Sequence, residues 1–171
     1  MKKKKSFVAL ALVVAVLVLG VGYALNTIDL KVNGDITVSP DDSNFDVIFT
    51  DAKITTAGTL AGQTDAATKG DGKTATLSVK SLKTVGEKVI AEYTITNNSK
   101  AGINATLTNP TATQTDDAAK DYYKVTATLA DTNPIAPNGT KKLTVTVELV
   151  KAPLEEVTGN FTVAFNASAT K

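Results

Sequence analysis

The sequence predicts an all-β protein, an antiparallel β-sandwich of jelly-roll or immunoglobulin-like type with at most one short helix, preceded by an N-terminal signal helix. Three observations predict it. Apolar and polar residues alternate over seven or eight short segments; clusters of Gly, Asn, Asp, Ser and Pro separate those segments; and Thr, Ala, Val, Asn and Asp dominate a narrow alphabet suited to strands and polar turns. With 171 residues, 43% of them apolar, the chain can bury the core of one domain. An up-and-down barrel would give the same alternation. The sandwich is preferred because residues 56–73 and 109–123 are long for simple hairpins and suggest crossings from one sheet to another.

The first element is a targeting segment. Lys2 to Lys5 form a positive n-region, Phe7 to Leu19 are uninterruptedly apolar, and Gly22-Tyr23-Ala24 offers small residues at the two positions a signal peptidase reads. The pattern predicts a signal peptide over 1–24, cleaved after Ala24, with residues 25–171 as the exported domain. A retained anchor is the competing reading, since Phe7 to Leu25 is about long enough to span a bilayer. Removing the signal leaves 14 Lys against 17 acidic residues, a net charge near −3. With no Arg either, the chain is poorly suited to nucleic acid or anionic membranes, so membrane contact is expected only through the signal segment.

The second element is "TIDLKVNGDITVSP", residues 27–40. Asn33-Gly34 between apolar alternations is ordinarily a hairpin turn. A two-residue hairpin here would pair Val32 with Asp35 and Lys31 with Ile36, mixing apolar and charged side chains on each face. Read as one strand over 28–38, the residues Ile28, Leu30, Val32, Gly34, Ile36 and Val38 stay in phase on one face. Such a strand is roughly 36 Å long when extended.

The turn cluster 39–44 precedes a strand in which Phe45, Val47 and Phe49 alternate. Residues 56–73, rich in Gly, Thr and Ala without a sustained period, read as a loop ending in the turn Gly70-Asp71-Gly72. Further strands follow with inward residues Ala75, Leu77 and Val79; Val89, Ala91, Tyr93 and Ile95; and Ile103, Ala105 and Leu107. "TDDAAKDYY", 115–123, has a cap, early acidic residues and Ala behind them, and predicts a helix of two turns at most. Three strands close the chain, carrying Val125, Ala127 and Leu129; Leu143, Val145, Val147 and Leu149; and Phe161, Val163, Phe165 and Ala167. The expected core comprises Val79, Tyr93, Ile95, Leu107, Leu129, Val145, Val147, Phe161, Val163 and Phe165.

Groups for chemistry are scarce. Without His or Cys, neither a His-based zinc motif nor thiol catalysis can be written, and no EF-hand loop occurs. Asp41-Asp42, Asp116-Asp117 and Glu155-Glu156 read as solvated or capping carboxylates, with weak calcium binding as the functional alternative. Ser78 with Lys80, and Ser99 with Lys100, are poor nucleophile–base pairs. Glycosylation sequons begin at Asn97, Asn104, Asn138, Asn160 and Asn166. The expectation is no enzyme, no catalytic residue, no cofactor and no metal.

The Lys-rich signal ending in Gly-Tyr-Ala, "VGEKVIAEYTITNNSKAGINATLTN" (85–109), "IAPNGTKKLTVTVELV" (135–150) and "VTGNFTVAFNASA" (157–169) together resemble the TasA/camelysin group, exported biofilm matrix proteins of Gram-positive bacteria with SipW-type signals. The resemblance implies a jelly-roll-like sandwich assembling into extracellular fibres, in which the N-terminal strand of one subunit completes the sheet of the next. The start of the mature chain, "LNTID", departs from the aromatic-rich start usual in that group. The protease activity attached to the camelysin name is not carried over, because the chain lacks His.

The expectation is therefore a secreted structural protein of the extracellular matrix or cell surface. Its partners would be further copies of itself in a filament, and signal peptidase during export. Burying the apolar residues of 28–38 in a neighbour would contribute on the order of 7–15 kcal/mol of gross apolar transfer. The alternative is a monomeric immunoglobulin-like adhesion or binding module with the strand folded into its own sheet.

Overall fold

Alternation along the chain becomes two packed sheets in the computed structural model, which describes residues 27–32, 44–57, 64–79, 82–117, 119–155 and 157–170. The strands are β1 (Thr27–Val32), β2 (Val47–Thr56), β3 (Thr64–Thr68), β4 (Thr74–Val79), β5 (Lys88–Asn97), β6 (Asn104–Leu107), β7 (Thr111–Gln114), β8 (Tyr123–Leu129), β9 (Thr140–Leu149) and β10 (Phe161–Thr170). One sheet has the order β3-β4-β1-β10-β6, with β7 following β6 along the same edge of β10; the other has the order β2-β5-β9-β8. The signal segment 1–24, with Gly22 and Ala24, lies outside the described residues. Among the described residues there is no helix long and apolar enough to cross a membrane.

Strict period-two burial explains why the inner strands form. In β5 and β9 every second side chain is buried, giving Val89, Ala91, Tyr93 and Ile95 on one strand and Leu143, Val145, Val147 and Leu149 on the other. β10 contributes Phe161, Val163, Phe165 and Ala167 from the opposite sheet. These residues, with Phe45, Val47, Phe49, Ala75, Leu77, Ala105, Leu107, Val125 and Ile135, form one continuous core. Val79 and Leu129, expected in the core, are only half-buried at its margin.

Three expectations are corrected. The segment read as the loop 56–73 contains β3, which pairs with β4 from Thr64↔Val79 to Thr68↔Ala75. The segment 109–123 contains β7, paired with the start of β10. The expected helix at 115–123 is instead a pair of turns: the amides of Ala119 and Lys120 donate to the Asp116 carbonyl, and that of Tyr122 to Ala119. Close packing dictates this, since Ala119 is fully buried and Gly159 lies so near that a Cβ there would sit 2.6 Å from the Ala119 Cβ and 2.5 Å from a Tyr123 ring carbon. The sandwich is antiparallel as expected, apart from one two-residue pairing in which β1 runs parallel to β4.

Candidate functional site

The strand that the sequence nominates for assembly occupies the middle of a sheet. β1 pairs antiparallel with β10 along its whole length, from Thr27↔Ser168 to Val32↔Val163. On its other edge, among the described residues, it pairs with β4 at Lys31↔Thr74 and Val32↔Ala75. Ile28, Leu30 and Val32 take register positions opposite Ala167, Phe165 and Val163, whose side chains are buried. The backbone register runs without a shift across these three residues. Gly34, Ile36 and Val38, the rest of the proposed strand, lie outside the described residues.

Among the described residues, β1 is the strand that joins the β3–β4 hairpin to β10 within this sheet. Taken away, it leaves a slot one strand wide, with β4 as one wall and β10 as the other. Both walls are tied to the opposite sheet independently of β1. From β5, the Tyr93 hydroxyl crosses the core and donates to the Thr76 carbonyl of β4 at 2.9 Å. Phe49 of β2 packs edge-on against Tyr93 and against Phe165 of β10, with ring centroids 6.0 Å apart in each case. Burial raises the Tyr93 phenol well above its ordinary pKa, so its donor proton is held throughout the neutral range.

The turn before β4 is fastened in the same way. The Asp71 carboxylate accepts from the amides of Lys73 and Thr74, at 2.9 and 3.2 Å, and the Gly72 carbonyl accepts from the Phe49 amide at 2.6 Å. Gly72 has φ +65°, and a Cβ there would approach the Ile48 Cβ to 2.9 Å, so this position requires glycine. Lys73 pairs with Asp46 and donates to the Val47 carbonyl at 2.8 Å, adding a second stitch between the sheets.

At the end of the sandwich where β1 begins, Asn97 closes the fold. Its side-chain nitrogen donates to the carbonyls of Ile103 (3.0 Å) and Ile135 (2.8 Å), and its oxygen accepts from the Ser99 amide (3.0 Å). Asn97 is fully buried, so the sequon there is closed to glycosylation once the chain has folded. The neighbouring Lys141 is almost fully buried; it pairs with Asp131 at 2.9 Å and donates to the Asn133 carbonyl. Hydrogen bonding by Lys141, then by the Asn133 amide, holds the Asp131 carboxyl below its usual pKa.

The other residues considered for chemistry do not converge. Ser99 exchanges hydrogen bonds with the Asp46 backbone while Lys100 points to solvent, and Ser78 is exposed on β4. Asp117 pairs with Lys120 on the turn after β7. No cluster of three or more His, Cys, Asp or Glu capable of holding a metal occurs among the described residues. Sequence reasoning placed Tyr93 and Phe165 in the core but missed their part in holding the slot walls, which depends on partners far away in the chain. No family model, no curated protein and no solved structure matches this chain.

Proposed function

We propose that the protein is an exported structural subunit that assembles into an extracellular fibre by exchanging β1 between copies, each subunit's first strand filling the slot of the next. The observation that carries this reading is the position of β1: a central strand, yet one drawn from the extreme start of the mature chain that cleavage after Ala24 would produce. A strand tethered only through residue 33 onward can leave its own slot and enter an identical one without rearranging the remaining strands. Head-to-tail repetition of that step gives an open filament, because the donor strand and the recipient slot are different surfaces. The resemblance to exported matrix proteins points the same way, and the scarcity of catalytic groups is in keeping with a structural role.

A second reading has an observation of its own. Within one chain β1 already pairs on both edges with β4 and β10, as a monomeric surface module would require. Electron microscopy and sedimentation of the mature protein, beside a version starting at Ser39, separate the two readings. The exchange reading expects filaments from the first and none from the second. A single sedimenting species for the mature protein at high concentration would overturn it in favour of the monomeric module.

A further inference from the structure

We infer that β8 is a docking edge for a second copy of this chain: two β8 strands pair antiparallel about a two-fold axis at Ala127, joining their four-stranded sheets into one. This goes beyond the exchange reading and does not depend on it, since β8 and β1 belong to different sheets.

The ladder shows which backbone groups β8 has to offer. The Ala130 amide donates to the Lys142 carbonyl of β9 at 3.0 Å, and the Tyr122 carbonyl accepts from the Val150 amide at 2.8 Å. Alternate residues of an antiparallel strand bond to alternate sides, so Lys124, Thr126 and Thr128 face β9, while Val125, Ala127 and Leu129 turn their amides and carbonyls to the free edge. The Tyr123 carbonyl has the same outward sense and accepts from the Gln114 side chain. Beyond it, among the described residues, no strand pairs with this edge.

The other edges are each blunted. β2 has register shifts between Phe49 and Asp51 and between Ile54 and Thr56, and its Phe49 amide is taken by the Gly72 carbonyl. β6, four residues long, is capped by the two hydrogen bonds exchanged between Ala105 and Ile135, and Pro110 separates it from the equally short β7. β3 has five residues and an exposed Asp65. Sheets use bulges, short strands, Pro and charge in this way to refuse further strands. β8 keeps unbroken register over seven residues, with none of these devices along 125–129. Its inward residues Ala127 and Leu129 are only half-buried, although Val145 and Leu143 beside them on β9 are fully buried. Apolar surface is left there for a neighbour to cover.

The sequence of β8 selects the occupant. An interface on a two-fold axis must be self-complementary, and "VTATL", 125–129, is close to a palindrome. Centred on Ala127, the pairing sets Val125 against Leu129 of the second copy and Thr126 against its Thr128, apolar with apolar on the inner face and Thr with Thr on the outer. Lys124 meets Ala130, so no like charges oppose one another. Every outward amide and carbonyl of Val125, Ala127 and Leu129 finds a partner in this register.

The chain has no cysteine, so introduced ones report on single positions. Mature chains carrying Thr126→Cys and Thr128→Cys, one of them tagged, are mixed, oxidised and resolved on non-reducing gels, beside a control mixture of Lys124→Cys with Thr126→Cys. All three sites are exposed, so the fold is expected to tolerate the substitutions. In the proposed register, positions 126 and 128 of two copies form a non-hydrogen-bonded pair with Cα atoms about 4.5 Å apart, within disulfide range, whereas 124 and 126 do not face one another. The first mixture should give heterodimers in excess of chance mixing by about fivefold or more, and the control no such excess. Heterodimers at the level of chance, or an equal excess in both mixtures, would overturn the inference. Since neither cysteine lies on β1, that failure would leave the exchange reading standing.

Discussion

Two central strands sit face to face in this molecule, and they are built differently. In one sheet β5 is paired from Lys88 to Thr96 with β9 and from Ile90 to Asn97 with β2, and chain segments lead into both of its ends. In the other, β1 is paired with β10 from Thr27 to Val32 and, among the described residues, with β4 at Lys31 and Val32, and it is the first strand of the described chain. Ordinarily a strand in the middle of a sheet is the last part of a fold to open. Here one middle position is filled by the strand nearest the amino end of the described residues, while the walls on either side are fastened elsewhere by Tyr93, Phe49 and Phe165. Under the proposed exchange, these fastenings would hold the flanks in place while the centre receives a strand from outside.

Removal of β1 is expected to have the largest effect. A chain starting at Ser39 is expected to lose filaments entirely and to unfold at lower denaturant. A synthetic peptide of residues 25–38 should restore its thermal stability in trans, as calorimetry would show. Deleting a strand from the β5 side could not be rescued in this way. Next in size, Phe165→Ala should destabilise the domain by about 3–5 kcal/mol and weaken assembly as well, because it strips one slot wall. Leu143→Ala on β9 is expected to remove about 2–5 kcal/mol by denaturant titration while leaving the polymer-to-monomer ratio of the folded protein unchanged.

Alkali offers a graded version of the same test. Because burial raises the Tyr93 pKa, the folded state keeps a proton that the unfolded state releases above about pH 10, so the stabilisation is intact below that pH and is lost as pH rises. Tyr93 should thus contribute a decline of about 1.4 kcal/mol per pH unit above the ordinary tyrosine value, and Tyr93→Phe should flatten it. At neutral pH Tyr93→Phe is the smallest effect, about 1 kcal/mol for the lost bond to Thr76, measurable as a modest shift in denaturant midpoint.

The same contrast explains what could be read from sequence. β5, β9 and β10 were legible because large side chains alternate over ten residues each. β3, "TDAAT", and β7, "TATQ", were not, since Ala and Thr give little contrast between faces; the pairing that defines them comes from β4 and β10. The expected helix at 115–123 had sound local signals, but the close approach of Ala119, Tyr123 and Gly159 overrides them. The phase of Ile28, Leu30 and Val32 was readable. Their placement between a parallel and an antiparallel neighbour was not, because register with Thr74 and Ser168 depends on residues more than 40 positions away.

The central claim is that β1 lies in another subunit's slot, and one mixing experiment addresses it. Two single-cysteine chains, Asp29→Cys and Asn166→Cys, are unfolded, mixed, allowed to assemble and then oxidised. The account predicts abundant disulfide-linked heterodimers, since the Asp29 of one copy would face the Asn166 of the next. Heterodimers no more frequent than the pairing of chance collisions would show that every copy keeps its first strand to itself.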